Sequence, residues 1–241
     1  MEYPRSCRYE RLHTMIMGPN PLKLAEELLE GIGLKETDVL CDLGSGTGLT
    51  SLFIHKEYGP KVYATDLWSN SQENKEFFRR EGVRDGGVEA VKADALSLPF
   101  EKETFDVLTC IDSWNYFGRD KAFLVEKISP FMKKGGKIYL AITAMEKDFK
   151  GEYPECLLLS WTPEQLEYIK DAEYWKEILS SSKDVTLLEI EKMETDDEAW
   201  NDWLKEENEY AVGDRKSMEN GAGEYLCFIK AVLEKKWTIL N

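Results

Sequence analysis

The chain has 241 residues, 42% of them apolar, which fits one large domain, or a domain with an appendage, with a sizeable core. Its 46 acidic and 31 basic residues leave a formal charge of −15, a surface that repels phosphate backbones and anionic headgroups and so argues against nucleic acid or membranes as partners. No apolar run approaches the roughly 18–20 residues of a membrane span, and the first eight residues lack the apolar core of a secretory signal, so a cytoplasmic location is expected.

Residues 1–20 mix Tyr3, Tyr9 and His13 with the breaker Gly18-Pro19-Asn20-Pro21. Leu22, Leu24, Ala25, Leu28, Leu29 and Ile32 have helical spacing, with Asn20 placed to cap the helix and Pro21 at its first position. Val39 to Leu43 reads as a strand, and it runs into Gly44-Ser45-Gly46-Thr47-Gly48 and a helix over Leu49 to Tyr58. The pattern repeats: a strand over Val62–Asp66, a polar helix across Asn70–Glu81, and a strand over Val88–Ala93. Phe105–Ile111 is a nearly continuous apolar strand, followed by a predicted helix from Asp120 to about Met132 and a fifth strand over Lys137–Ile142. Strands alternating with helices in this way predict an α/β, doubly wound, mostly parallel sheet with right-handed crossovers.

After Ala144 the rhythm changes. Thr162-Pro163-Glu164 would open a helix carrying Leu166, Ile169 and Ile178, and Val185–Ile190 and Tyr225–Leu233 read as strands. Between those strands the sequence predicts an acidic, tryptophan-bearing helix from about Asp196 to Tyr210 and a glycine-bearing loop over Gly213–Gly223. That loop, rather than a helix, leads into the last strand, which predicts an antiparallel entrance into the sheet. Five cysteines without a C-x-x-C pair, three of them inside apolar runs, fit a reducing compartment and argue against a zinc site; no metal is expected.

In an open α/β sheet a ligand lies at the carboxyl ends of the strands. Those ends are Asp42 with its glycines, Asp66, Asp94 and Asp112-Ser113, an acidic residue at four successive strands in step with the repeat. A glycine turn at a helix N-terminus is a general ligand platform. A carboxylate at Asp42 would repel a pyrophosphate there and suits a ligand that carries an ammonium group, as S-adenosylmethionine does. Asp66 can accept both hydroxyls of a ribose. Asp94 can accept from an adenine amine, with Ala93 and Ala95 leaving room for the ring and Leu67, Trp68 and Leu96 placed to sandwich it.

The run Val39–Gly48, Ala64-Thr65-Asp66, Lys92-Ala93-Asp94-Ala95 and Leu98-Pro99-Phe100 leading into Thr104-Phe105-Asp106-Val107 resembles the class I S-adenosylmethionine-dependent methyltransferases, closest to their small-molecule branch, over about residues 35–145. The resemblance implies a seven-stranded Rossmann-like sheet with a reversed last strand. It implies that Asp42, Gly44 and Gly46, with Ser45 between them, hold the methionine moiety and that Gly48 permits helix–sheet packing. It also implies Asp66 on the ribose, Asp94 and Ala95 on the adenine, and Ile111-Asp112 as the floor beside the methyl group. The whole chain then reads as one domain, with residues 1–33 as a helical lid, 34–144 as the cofactor half and 145–241 as a substrate and lid half. Such an enzyme, a monomer or homodimer, would methylate a small-molecule acceptor at N, O, S or C.

Asp112 is the best-placed general base, with Ser113, Trp114, Asn115 and Tyr116 as a pocket wall; His13, Tyr3, Tyr9 and Trp161 are further candidates for the acceptor side. His55 reads as a helix-face residue. Two other classes compete. A nicotinamide-dependent reductase is disfavoured by Asp42, by G-x-G-x-G in place of G-x-G-x-x-G, and by the lack of a Tyr-x-x-x-Lys proton donor. A cofactor-binding regulatory protein without turnover would need no acceptor pocket. Arsenite methylation would need several exposed thiols, and only Cys7 and Cys156 lie outside apolar runs.

Overall fold

The computed structural model describes residues 4–237. Its centre is a single sheet in which β1 (Val39–Leu43), β2 (Lys61–Asp66), β3 (Val88–Lys92), β4 (Phe105–Ile111) and β5 (Met132–Met145) run parallel in the order β3-β2-β1-β4-β5. Beyond β5 come β8 (Leu226–Lys235) and then β7 (Val185–Lys192), with β8 antiparallel to both neighbours. A two-residue β6 (Lys170–Asp171) adds to the end of β5. The expected parallel sheet with a reversed last strand is present, and seven strands form its continuous path.

Side-chain alternation along the strands divides the core. Ile138, Leu140, Ile142 and Ala144 of β5 face one layer with Cys41, Leu43, Leu108 and Cys110, while Tyr139, Ala141 and Met145 face the other with Leu40, Val62 and Ala64. Burying each Leu or Phe contributes about 1.5–3 kcal/mol, so both faces hold the sheet. The second layer is covered by α1 (Pro21–Leu28), α2 (Leu49–Tyr58) and α3 (Ser71–Arg80), together with α7 (Asp196–Trp203). Their starts follow local chemistry: Asn20 caps α1 by accepting from the Leu22 N–H at 3.0 Å, and Asn70 caps α3 from Gln72 and Glu73.

Three expectations change. The helix predicted over 120–132 is a π turn at Leu124–Ile128 followed by a 3-10 turn at Ser129–Phe131, because Pro130 has no N–H and its ring opposes a continuing helix. The helix opening at Thr162, which forms a capping box with Gln165, ends at Leu166 (α5, Pro163–Leu166). A new helix, α6 (Ala172–Ser180), restarts where Asp171 accepts from the Tyr174 N–H. The acidic tryptophan helix stops at Trp203, and Asn208 caps α8 (Glu209–Met218), which passes through Gly213 where a loop was expected. A mid-helix glycine costs about 1 kcal/mol. Packing offsets it: Ala211 and Ser217 are buried, and Ser160 donates to the Gly213 carbonyl at 2.6 Å. A short helix that the sequence reading missed, α4 (Trp114–Phe117), follows β4 directly.

Candidate active site at the carboxyl ends of the strands

The glycine turn sits where β1 hands over to α2. Gly44, Gly46 and Gly48 all have positive φ, between 52° and 84°. Gly44 and Gly48 are also glycines for want of space: a β-carbon would lie 2.5 Å from Ser113 Oγ at the first and 2.4 Å from Phe78 Cζ at the second. The Gly48 contact is with α3, so it sets helix–helix packing. Nothing lies within 4 Å of the same point on Gly46, which faces open space. Ser45 is buried, and its hydroxyl is an orphan polar atom among the described residues.

Asp42 lies beneath this turn, 1% exposed, with Oδ2 accepting from Thr50 and Ser51 (both 2.6 Å) and Oδ1 from Thr109 (3.0 Å). Burial pushes its pKa up and the three hydroxyls pull it back. This corrects the expectation that Asp42 meets a ligand ammonium directly. Three of its four acceptor positions are taken and the side chain is buried under the turn, so it anchors the turn to the first turn of α2 and to β4.

A cavity of about 340 Å³ opens beside the turn, in the range of small-molecule sites. Its walls include Gly44, Asp66, Asp94, Ala95, Ser113 and Tyr116, so β1 to β4 all contribute their carboxyl ends. Leu67 and Trp68 stand at its rim, Trp68 at 89% exposure, whereas Leu96 is exposed outside it. Asp66 Oδ1 accepts from the Trp68 and Ser69 N–H groups (2.8 and 2.7 Å), and Oδ2 accepts from Gly46 at 3.1 Å. A carboxylate has about four acceptor positions. One position on Oδ2 is left, which suits one hydroxyl and corrects the expectation of a bidentate ribose contact. Asp94 accepts only from the Leu96 N–H among the described residues, leaving Oδ2 open.

Asp112 follows β4 with φ 54°, a left-handed conformation that Asp tolerates better than most residues. Its N–H donates to the Ala141 carbonyl at 2.9 Å, and its Oδ1 accepts from Thr143 Oγ1 of β5. Its Oδ2 faces Gly18, where a β-carbon would fall 2.6 Å away. Burial raises the Asp112 pKa to about 7, Thr143 works against that, and the field of Asp214 adds to it. Some of its surface still meets solvent while protein surrounds the carboxylate, as at the floor of a cleft. Ile111 beside it is buried. Ser113 Oγ donates toward Gly44 O and Ile111 O, each at 3.2 Å, tying the floor to the glycine turn.

Residues 5–18 cross this edge. Arg5–Met15 is a 3-10 run against α2; Thr47 Oγ1 donates to the Met15 carbonyl at 3.3 Å, and Gly18 reaches Asp112. The other side of the crossing is bound to the C-terminal helices: His13 Nδ1 to Glu206 at 2.6 Å, Asn20 to Asp202 at 2.9 Å, and Lys23 to Glu198 at 2.8 Å. His13 is therefore a tie on the outside of the cover, its pKa raised by the bond to Glu206, and it does not face the cavity walls. Tyr9 is likewise structural: it is buried, its ring edge-on to Phe53 at 5.5 Å, and its hydroxyl donates to Glu57. Trp114 is fully buried between Phe117 and Phe123, in the core rather than a pocket wall. Tyr116 is exposed at the cavity, as expected of a wall residue. Trp161 is half-buried, its ring edge-on to Trp200 at 6.3 Å. Tyr3 lies outside the described residues. His55 bonds the Pro60 carbonyl at 2.8 Å.

Sequence reasoning missed Thr143, Gly18 as a contact of Asp112, and Asp214 on α8, which accepts from Trp203 Nε1 at 2.8 Å. Gly18 carried a signal, its place in a breaker, that was read as a turn alone. Asp214 carried none, because α8 was read as a loop.

Residues 41–140 match the family model described as "Methyltransferase domain". The chain is 23% identical over 242 residues to the phosphoethanolamine N-methyltransferase of Plasmodium falciparum, covering 96% of this chain and 82% of that one. Among solved structures it resembles geranyl diphosphate C-methyltransferase from Streptomyces coelicolor A3(2) in complex with S-adenosyl-L-homocysteine, at TM-score 0.68 and 17% identity, over 88% of this chain and 75% of that one. It also resembles Haemonchus contortus phosphoethanolamine N-methyltransferase 2 in complex with S-adenosyl-L-methionine, at TM-score 0.73 and 19% identity, over 96% and 57%. The glycine turn, the acidic strand ends and the reversed last strand belong together: residues 41–140 are a methyltransferase domain, and the chain has the fold of S-adenosylmethionine-dependent methyltransferases.

Proposed function

We propose that S-adenosylmethionine occupies the cavity at the ends of β1–β4, and that a small acceptor reaches it over Asp112, beneath residues 15–20. The observation that carries this reading is the convergence of Asp66 and Asp94 on one cavity beside the glycine turn. Asp66 Oδ2 takes a ribose hydroxyl, and Asp94 Oδ2 takes the adenine amine with Ala95 against the ring and Leu67 at the rim. Gly44, Ser45 and Gly46 line the methionine end, and the orphan Ser45 hydroxyl is free to bond there. Asp42 supports this end from below. Ile111 and Asp112 form the floor.

The bound cofactor supplies a methyl group on a positively charged sulfur, already activated for in-line displacement. The protein's part is to position the acceptor, exclude water and hold a proton where one is lost. Ser113 locks the floor to the turn, the Gly18 strap covers Asp112, and Tyr116 borders the opening. Residues 1–33 and 145–241 thus act as cover and acceptor half around a cofactor half at 34–144, as one domain. The five free cysteines suit a reducing compartment such as the cytoplasm. Among the described residues no helix is long and apolar enough to cross a membrane.

Thermal shift with S-adenosylhomocysteine and, separately, NAD(H) tests the cofactor reading. The expected result is a rise in Tm with the first alone; a rise with NAD(H) alone would refute it. The named relatives modify nitrogen and carbon in different acceptors, so the acceptor has to be argued from this chain's own residues.

A further inference from the structure

The acceptor side holds two carboxylates with no cation. Asp112 and Asp214 form no ion pair among the described residues, although both sit amid protein and both have pKa values raised first by burial. Asp112 uses one oxygen for Thr143 and its second has no hydrogen-bond partner among the described residues, while Asp214 accepts from Trp203 Nε1 and is approached by the Trp161 indole. The nearby basic side chains of the cover are engaged elsewhere, His13 with Glu206, Lys23 with Glu198 and Asp202, and Arg215 with the Leu204 and Glu206 carbonyls. Two half-buried carboxylates without a cation are costly unless a ligand brings one.

Aromatic rings surround the same place. The Trp203 indole is fixed on Asp214, the Trp161 indole also bonds toward that carboxylate, and the Tyr116 hydroxyl feels the charge of both Asp112 and Asp214. Trp200, packed edge-on to Trp161, is buried with its Nε1 unpartnered. Carboxylates set among indole and phenol rings recognise an alkylammonium by charge and by cation–π attraction. A carboxylate or phosphate group on the reacting end of the acceptor would be repelled at this point, and a hydroxyl would need only one acidic partner.

Resting on the cofactor reading above, we propose that the acceptor is a primary or secondary amine, held as its ammonium ion by Asp214 and Asp112 among Trp161, Trp203 and Tyr116. Asp112 takes the ammonium proton and becomes a neutral acid. The freed nitrogen lone pair then forms the N–C bond to the methyl carbon as the C–S bond breaks, and that electron pair stays on sulfur as a neutral thioether. The product is an alkylated ammonium, and the proton on Asp112 passes to water when the site opens. The titratable groups facing Asp112 are Asp214 from α8, Tyr116 from α4 and Cys110 from β4; Thr143 and Gly18 bring no charge. A floor carboxylate that titrates near 7 is matched to this exchange at neutral pH, where an ordinary one is not.

The test is calorimetric titration of the full chain saturated with S-adenosylhomocysteine, using n-butylamine, n-butanol and butyrate as probes. The amine should bind at least tenfold tighter than either of the others. Asp214→Asn should weaken the amine at least tenfold and Asp214→Glu should restore part of that loss, while affinity for S-adenosylhomocysteine stays within twofold. With labelled cofactor and an amine panel, transfer should fall on acidification through about pH 7, and Asp112→Asn should lower kcat at least a hundredfold. Normal binding of S-adenosylhomocysteine with no preference for the amine overturns the proposal, and so does transfer to hydroxyls, thiols or carboxylates but not to amines. Failure of wild type to bind S-adenosylhomocysteine would remove the cofactor reading itself, and this proposal with it.

Discussion

The strand-end edge and the cover over it are built in opposite ways. At the edge, most of the bonds to the acidic residues come from positions close in the chain: Asp66 from Trp68 and Ser69, Asp94 from Leu96, Asp42 from Thr50 and Ser51, with Thr109 on Asp42 and Thr143 on Asp112 the longer reaches. In the cover, the bonds join residues 168 to 193 positions apart: His13 to Glu206, Asn20 to Asp202, Lys23 to Glu198, and the Glu27 carboxylate to the N–H of Thr195. Local bonds make a rigid platform that forms with the strand–turn–helix unit. Distant polar bonds that are only part-buried or exposed make a cover that is weaker and easier to open, since a pair open to solvent contributes at most about 1 kcal/mol.

The strongest way to break that comparison is Asp42→Ala. It strands three buried hydroxyls, and each unsatisfied group costs about 1–3 kcal/mol, so a loss of about 3 kcal/mol or more is expected in urea unfolding. If stability holds while S-adenosylhomocysteine affinity collapses, Asp42 belongs to the ligand and the platform reading is wrong. Asp66→Ala comes next. Calorimetry should show S-adenosylhomocysteine affinity reduced about tenfold to a hundredfold, roughly 1.4–2.7 kcal/mol, with a smaller loss of stability from the released Trp68 and Ser69 N–H groups.

Gly18→Ala probes the cover. Its φ of 114° and the 2.6 Å approach to Asp112 Oδ2 both oppose a β-carbon. A cost of about 1–3 kcal/mol is expected, appearing mainly as an open cover. Faster proteolysis within residues 4–20 and slower methyl transfer, at nearly unchanged S-adenosylhomocysteine affinity, would place the strap on the acceptor side. An equal loss of cofactor affinity would place it on both.

The smallest effect concerns His13. Its pKa is raised in the fold by Glu206, so the tie stabilises fully below the ordinary histidine value and is lost as pH rises through the raised one. The Tm difference between wild type and His13→Ala should therefore be present near pH 5.5 and vanish at high pH. A difference that grows with pH would show that the two residues do not pair as charges.

The same contrast governs what was legible in the sequence. The strands through Ile111, the cap at Asn20 and the acidic strand ends could be read because each depends on residues close in the chain. The reversed last strand has the predicted direction but not for the predicted reason, since the expected loop over Gly213–Gly223 is largely α8. What could not be read needed partners from afar. Asp42 looked like a ligand contact because Thr109, which completes its burial, is 67 positions away. Tyr9 and Trp114 looked like pocket aromatics, and only the packing of Phe53 and Phe123 shows that they are core. Asp214 was hidden because Gly213 masks a helix whose stability comes from Ser160 and Ser217 contacts rather than from propensity.

The place of β8 has a consequence for how the chain comes off the ribosome. Leu226–Lys235 lies between β5 and β7 in the sheet although it follows both in the chain. Until it is made, β7 has no partner strand and the distal edge of β5 stays unpaired beyond the short β6 contact. The platform of β1–β4 can assemble early in synthesis, and with it the cofactor cavity. The acceptor half has to wait, since β7 and the α7–α8 pair that follows it gain their seat only when β8 slots in. A nascent chain stopped short of residue 226 would thus already hold the cavity at the ends of β1–β4 while β7 and the helices after it still lacked their seat.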